Sequence, residues 1–311
     1  MANISQQEIH ELDQKAFDVF KLALNNIPDV DANAIIYHYT SPEGLKGITE
    51  NECLWATDIN YLNDSSELRY IHQITDNMVK SKKDVWNVQF CDSVLNYCEQ
   101  MNKRYDMSNR LLFAHKKDVY VISFCLEQDN LSMWKCYTKT SNSMGYNIGF
   151  CKDRLVDISN AVNVTYGKVI YDECAHKQIL NKALESFETL YAKQNSDFAR
   201  AQVMQMVRAT LDNLGVFFKH PAFCDEKEFR IILRDNVRID KGGLYEIKYR
   251  IKDGVFIPYT EFRFERKVVK SIGISPSDKQ KIAEYSVERM LDTKYDLKYC
   301  DFYCSKIPYN P

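Results

Sequence analysis

Glycine is scarce in this chain, 10 among 311 residues, which argues against folds built on glycine-rich phosphate loops. Neither G-x-G-x-x-G nor G-x-x-x-x-G-K-[ST] occurs, so the dinucleotide-binding βαβ unit and the P-loop lack their fingerprints. H-E-x-x-H and G-x-S-x-G are missing too, which removes zinc protease and α/β-hydrolase readings. No run approaches the ~18 apolar residues of a membrane span. The opening segment MANISQQEIHELDQ has neither a basic n-region nor an apolar h-region, so no signal peptide is expected. The 10 cysteines form no C-x-x-C pair. Cys300 and Cys304 have a ligand-like spacing, but no His lies near them in sequence. Free thiols in a reducing cytoplasm are therefore expected, without metal or disulfide scaffold. Charge of one sign is lacking as well: 41 basic against 43 acidic residues leave −2, so no global field draws the chain to nucleic acid or to an anionic membrane.

What is present is an ordinary globular balance, 45% hydrophobic and 27% charged, rich in aromatics with 20 Tyr and 16 Phe. Ser5-Gln-Gln-Glu8 is a capping box ahead of Ile9, Leu12, Ala16, Val19/Phe20 and Ala23/Leu24 at helical spacing, and this helix stops before Pro28. Residues 34–39 read as a buried strand, and Ser41 caps a short helix with Pro42 at its first position. Residues 53–57 read as a strand, with a polar loop to Asp64. Ser65 or Ser66 caps a further helix, and more helix fills 84–112. Strand 118–124, helix 131–137, strand 145–150 and a β-rich 162–171 follow. One or two helices cover 173–213. The chain then turns to strands at 226–234, 244–251, 255–260 and 268–274, a helix from Ser275-Pro276 to about 292, and a last strand 295–302. Strands and helices do not alternate regularly, so the expected class is α+β, not a doubly wound sheet. With no repeat or Pro/Gly linker, the simplest organisation is one domain over 1–311, decorated by an N-terminal helix (1–30) and a helical insertion (173–213).

Three segments look more purposeful than a core requires. In Tyr37-His38-Tyr39-Thr40-Ser41, alternation puts Ile36, His38 and Thr40 on one strand face and Ile35, Tyr37 and Tyr39 on the other. His38 and Thr40 then end beside a helix N-terminus, where free N–H groups suit a polar ligand; a hydrogen-bonded core histidine is the plainer alternative. In Leu131-Ser-Met-Trp-Lys-Cys-Tyr137, Trp134 and Tyr137 are neighbours on one helical face. They form either a packed helix or a stacking wall for a flat ring, with Ser132 available to a ligand hydroxyl or amide. In Asp225-Glu-Lys-Glu-Phe-Arg230, period two puts Glu226, Glu228 and Arg230 on one face, two carboxylates about 6.6 Å apart with a guanidinium beyond. A solvated edge strand is the plainer reading of E-K-E.

The order H-Y-T-S (His38–Ser41), L-W-A-T-D (Leu54–Asp58), L-N-D-x-x-E (Leu62–Glu67), S-M-W-x-x-Y (Ser132–Tyr137), G-Y-x-I-G-F (Gly145–Phe150), E-x-E-F-R (Glu226–Arg230) and S-x-I-P-Y (Ser305–Tyr309) resembles the bacterial domain-of-unknown-function family 2971, over residues ~34 to ~310. That layout in turn is similar to the ADP-ribosyltransferase fold, a split, mixed β-sheet around an NAD cleft. The resemblance implies NAD as co-substrate and no metal. His38 would hold the adenosine ribose, with Tyr39, Thr40 and Ser132 in the cofactor site. Trp134 or Tyr137 would pack on nicotinamide, although the middle motif lacks the transferases' S-T-S. Glu228 would be the catalytic carboxylate and Glu226 the upstream glutamate acting on the acceptor. Asn63, Asp64, Glu67 and Arg230 would be accessory.

The function so implied is an NAD-dependent ADP-ribosyltransferase of a bacterial toxin or phage-defence kind. Its acceptor would be protein or nucleic acid, and an antitoxin or immunity protein would be a natural partner. Lys80-Ser-Lys-Lys83 and Lys116-Lys117 would border a nucleic-acid groove, though such runs are more often only solvated. An NAD glycohydrolase, a non-catalytic nucleotide-binding sensor, and a metal-dependent nuclease using Asp225, Glu226 and Glu228 are the competing classes.

Overall fold

Local signals place most elements in a computed structural model that describes residues 5–62, 67–104, 118–137, 144–157, 164–235, 246–294 and 300–309. Ser5 caps α1 (Gln6–Leu24): its side chain accepts from the Glu8 amide, and Glu8 reaches back to the Ser5 amide. After β1 (Ile35–Thr40), Ser41 Oγ accepts from the Gly44 amide at 3.2 Å and starts α2 (Pro42–Asn51). Then come β2 (Cys53–Asp58), α3 (Glu67–Ser81), α4 (Val88–Arg104), β3 (Asp118–Cys125), α5 (Leu131–Tyr137), β4 (Tyr146–Cys151), α6 (Lys152–Asp157) and β5 (Val164–Lys168). Two long helices, α7 (Glu173–Ala192) and α8 (Asp197–Leu214), precede β6 (Glu228–Asp235), β7 (Lys248–Lys252), β8 (Val255–Arg263), β9 (Val269–Ile274), α9 (Gln280–Lys294) and β10 (Asp301–Cys304). The last helix starts five residues beyond Ser275, because the Ser275 amide and hydroxyl are bound to Gly145 at the end of the sheet.

Contacts divide the chain into two compact units, where the sequence suggests one decorated domain. The first, Met1–Pro28, Asp64–Lys116 and Val169–Cys224, holds α1, α3, α4, α7 and α8. These helices bury apolar faces on one another, with Leu12, Phe90, Val94, Leu180, Phe187, Val203 and Leu211 among the core residues. What reads as decoration thus has its own core. His176 is buried there, its Nε2 2.7 Å from the Ile170 carbonyl and its ring stacked on Phe218. Lys80, Lys82 and Lys83 pair with Asp76, Glu185 and Asp92, the solvated arrangement expected of a charge run. Lys116 and Lys117 lie outside the described residues.

The second unit, Asp29–Asn63, Lys117–Lys168 and Asp225–Pro311, carries a mixed, open ten-stranded sheet. Only β9 and β10 pair in parallel among the described strands. β6 follows one edge of β3 along its length, from Asp118↔Asp235 to Cys125↔Glu228. The opposite edge is shared: β1 attaches at Cys125 and β2 at Val121 and Tyr120. From this fork one arm runs β1-β4-β9-β10 and the other β2-β8-β7. One face packs into a core of Ile36, Leu54, Tyr120, Ile122, Phe124, Ile148, Phe150, Phe229 and Ile231, covered by Leu45, Leu155 and Val287 from α2, α6 and α9. A mixed α+β architecture with an open, mixed sheet is therefore present.

Candidate active site on the forked sheet

Register decides which side chains can meet, because directly opposed residues of an antiparallel pair share a face. Tyr37 lies opposite Cys125, and Cys125 opposite Glu228, so the three form one transverse row away from the apolar core. Arg230, opposite Ser123, follows on the same face. Its Nε donates to Glu228 Oε2 at 2.5 Å, and both residues are buried, Arg230 at 1% and Glu228 at 6% exposure. A carboxylate at the start of a sheet strand, held by a guanidinium two residues along the same strand, is an unusual thing to bury. Between Tyr37 and Glu228 the Cys125 thiol is fully buried, and burial pushes its pKa up to about 11.

Glu226 does not join this row. The E-K-E alternation fails because Glu226 ends a 3-10 turn, Pro221–Glu226, and Lys227 adopts φ 45 before β6 begins at Glu228. The left-handed residue breaks the period-two count, and the Lys227 carbonyl accepts from the Leu126 amide at 2.9 Å. Asp225 lies in the same turn.

His38 occupies the fork. Its strand position puts it on the core face, edge-on to Phe124, and its Nδ1–H donates to the Ser123 carbonyl at 3.0 Å. Ser123 falls between the two attachment points on β3, so the imidazole satisfies a carbonyl at the split. Burial lowers the His38 pKa, against the carbonyl bond that raises it, and favours the neutral ring. The resemblance gives His38 and Glu228 roles on one NAD molecule; register instead puts them on opposite faces of the sheet.

Of the two rings expected to pack on nicotinamide, Trp134 does not offer a surface. Trp134 is fully buried, 4.6 Å from the Tyr39 ring, with Nε1 donating to Asp129 at 2.8 Å. Tyr39 is also buried; its hydroxyl lies 3.0 and 2.9 Å from the Glu127 and Gln128 carbonyls and accepts from the Asn130 amide. Both rings hold the β3–α5 loop instead of offering a surface. Asp129 also takes Ser305 Oγ at 2.6 Å and the Tyr303 hydroxyl, fastening the C-terminal segment to this loop. Burial raises the Asp129 pKa, but the bonds from Ser305, Tyr303 and Trp134 outweigh it and leave the group lowered. Thr40 is buried beside the α2 cap, on the His38 face, and Ser132 is half-buried in α5. Tyr137 ends α5 and Glu67 opens α3. Asn63 and Asp64 lie outside the described residues.

The residue that sequence reasoning passed over is Tyr37. It is half-buried against the Tyr39–Cys125–Trp134 cluster, and burial raises its hydroxyl pKa, with Cys125 adding to the shift. Its ring crosses Gly149: a Cβ there would come within 3.1 Å of Tyr37 Cε1 and 2.3 Å of Ser271 Oγ. The signal was present, since alternation in Tyr37-His38-Tyr39 already separates Tyr37 from His38.

The fold and row define an α+β protein with a forked mixed sheet and a buried carboxylate–guanidinium pair. Residues 133–231 match a family model described as protein of unknown function (DUF2971). Trp134, Gly145–Phe150 and Glu226–Arg230 fall inside the match, while His38–Ser41 and Ser305–Tyr309 fall outside it. No curated protein and no solved structure matches the chain. Among the described residues no group of His, Cys, Asp and Glu is arranged to hold a metal ion, and no helix is long and apolar enough to cross a membrane.

Proposed function

We propose that this chain is an NAD-dependent ADP-ribosyltransferase whose working face carries Tyr37, Glu228 and Arg230. The observation that carries the reading is the transverse row: a half-buried aromatic ring and a buried carboxylate on one face, two strand spacings or about 10 Å apart. The forked sheet and the resemblance of the motif order support it. When the bond between nicotinamide and ribose C1′ breaks, its electron pair leaves with nicotinamide and C1′ becomes an oxocarbenium ion. A fixed carboxylate hydrogen-bonded to the ribose 2′-OH stabilises that charge. Glu228 has this role and Arg230 positions it. Tyr37 replaces Trp134 as the ring for nicotinamide, and His38 braces the fork rather than holding ribose.

The acceptor then attacks C1′ with a lone pair and loses a proton. Glu226 sits outside the Glu228 row, so the E-x-E pair does not set a second carboxylate beside Glu228 for the acceptor proton. That placement favours a second reading, NAD glycohydrolase, in which water is the acceptor and ADP-ribose the product. Incubation with NAD labelled in the ADP-ribose part, with and without total RNA, DNA and cell lysate, separates the two. Label on a macromolecule supports transfer, free ADP-ribose supports hydrolysis, and unaltered NAD contradicts both.

A further inference from the structure

The sheet ends in a two-stranded ribbon whose outer strand, β7, pairs with β8 alone among the described strands. β7 and β8 are joined by Asp253 and Gly254 at φ 50 and 78, the left-handed pair of a tight hairpin turn, so the edge is held rigidly. Register sorts the ribbon into two faces. Lys248, Arg250 and Lys252 share the face of Tyr259, where Arg250 Nη2 donates to Thr57 Oγ1 at 3.0 Å and Lys248 Nζ to Glu261 at 2.9 Å. Tyr249, Ile251 and Phe256 share the other face and are 63%, 70% and 66% exposed. An exposed apolar face on a free strand edge is what natural sheets avoid unless something covers it.

Charge decides what that is. A second copy of β7, paired antiparallel so that the faces stay continuous, sets Lys or Arg against Lys or Arg in every register, which is unfavourable. A nucleic-acid strand would stack on Trp55 and Tyr259 of the cation face and leave Tyr249, Ile251 and Phe256 uncovered. An extended peptide has two faces of its own. We propose that the edge of β7 is a docking site for a partner polypeptide strand alternating acidic and apolar residues, with carboxylates opposite Lys248, Arg250 and Lys252 and apolar side chains beside Tyr249 and Ile251. This inference is independent of the NAD reading.

The test is a fluorescence anisotropy titration of the full chain with a labelled synthetic peptide alternating Glu and Val, against a block-scrambled peptide of equal composition. Saturable binding of the alternating peptide, about tenfold tighter than the scramble, is expected. Ile251→Asp and Lys252→Glu should each weaken it, and Lys252→Glu should gain affinity for a peptide alternating Lys and Val. Both side chains point outward, so circular dichroism of the variants should match the parent. Equal binding of the scramble, no binding of either peptide, or tighter binding of a single-stranded oligonucleotide lost in the same variants would overturn the proposal. So would a dimer in sedimentation that Ile251→Asp dissolves.

Discussion

Tyr37 and Glu228 lie in one transverse row of the sheet, each directly opposite Cys125 on β3, while His38, one residue from Tyr37, points to the other face. That relationship distributes the roles of the conspicuous side chains between the two faces.

Tyr37→Ala should weaken NAD binding by about 1 kcal/mol, the value of a lost ring-stacking contact. His38→Ala should leave NAD affinity unchanged and instead lower stability by about 1 kcal/mol, through the carbonyl left unpaired in the fork. Calorimetric titration and urea unfolding of both variants read the two effects separately. The opposite pattern would return the ribose role to His38.

Trp134 acts as a core residue in this account. Trp134→Ala should cost about 3–5 kcal/mol of stability, as for other large buried rings. Trp134→Phe keeps most of the volume but removes the donor to Asp129, so its smaller loss should be largely shared with Asp129→Asn in a double-mutant cycle. If Trp134→Phe lowers NAD affinity without lowering the unfolding midpoint, the ring belongs to the binding site.

Much of the fold was legible because its signals are local. The Ser5 and Ser41 caps, the Pro42 start and the 35–40 alternation need only neighbouring residues. The E-K-E segment misled because Lys227, with no glycine or asparagine to mark it, takes a left-handed backbone. Its position is held by the Leu126 amide, a partner about a hundred residues away that no local pattern contains. Trp134 misled for a related reason: helical spacing places it on a face, but burial follows from Tyr39 and Asp129, which come from elsewhere in the chain. The fork itself depends on three strands choosing one partner, β3, and Tyr37 gains meaning only once that choice is known.

Acid should destabilise the protein in two windows. His38 and His176 both have pKa values lowered by burial from the ordinary 6.5. The unfolded chain therefore binds more protons than the native one, and stability falls as pH drops through 6.5. Asp129 is lowered from 3.8, so its contribution is full above that value and is lost as pH falls further. Urea midpoints from pH 8 to 3 should decline in both ranges. Asp129→Asn should flatten only the lower range and His38→Gln only the upper; unchanged slopes would contradict the assignment.

Glu228→Ala should destabilise by about 3–5 kcal/mol, because Arg230 loses its buried ionic partner. Glu228→Gln keeps the shape and a hydrogen-bonding oxygen, and urea unfolding should place its stability between the parent and the alanine variant.

The most direct measurement is nicotinamide release from NAD by the purified chain, followed by liquid chromatography, with Glu228→Gln compared at matched folded fraction. The account predicts release by the parent and a loss of about 10²–10³-fold in the variant, the scale of removing one preorganised charge-stabilising group. Release at equal rates from both proteins, or none from the parent with or without RNA, DNA and lysate, would contradict it.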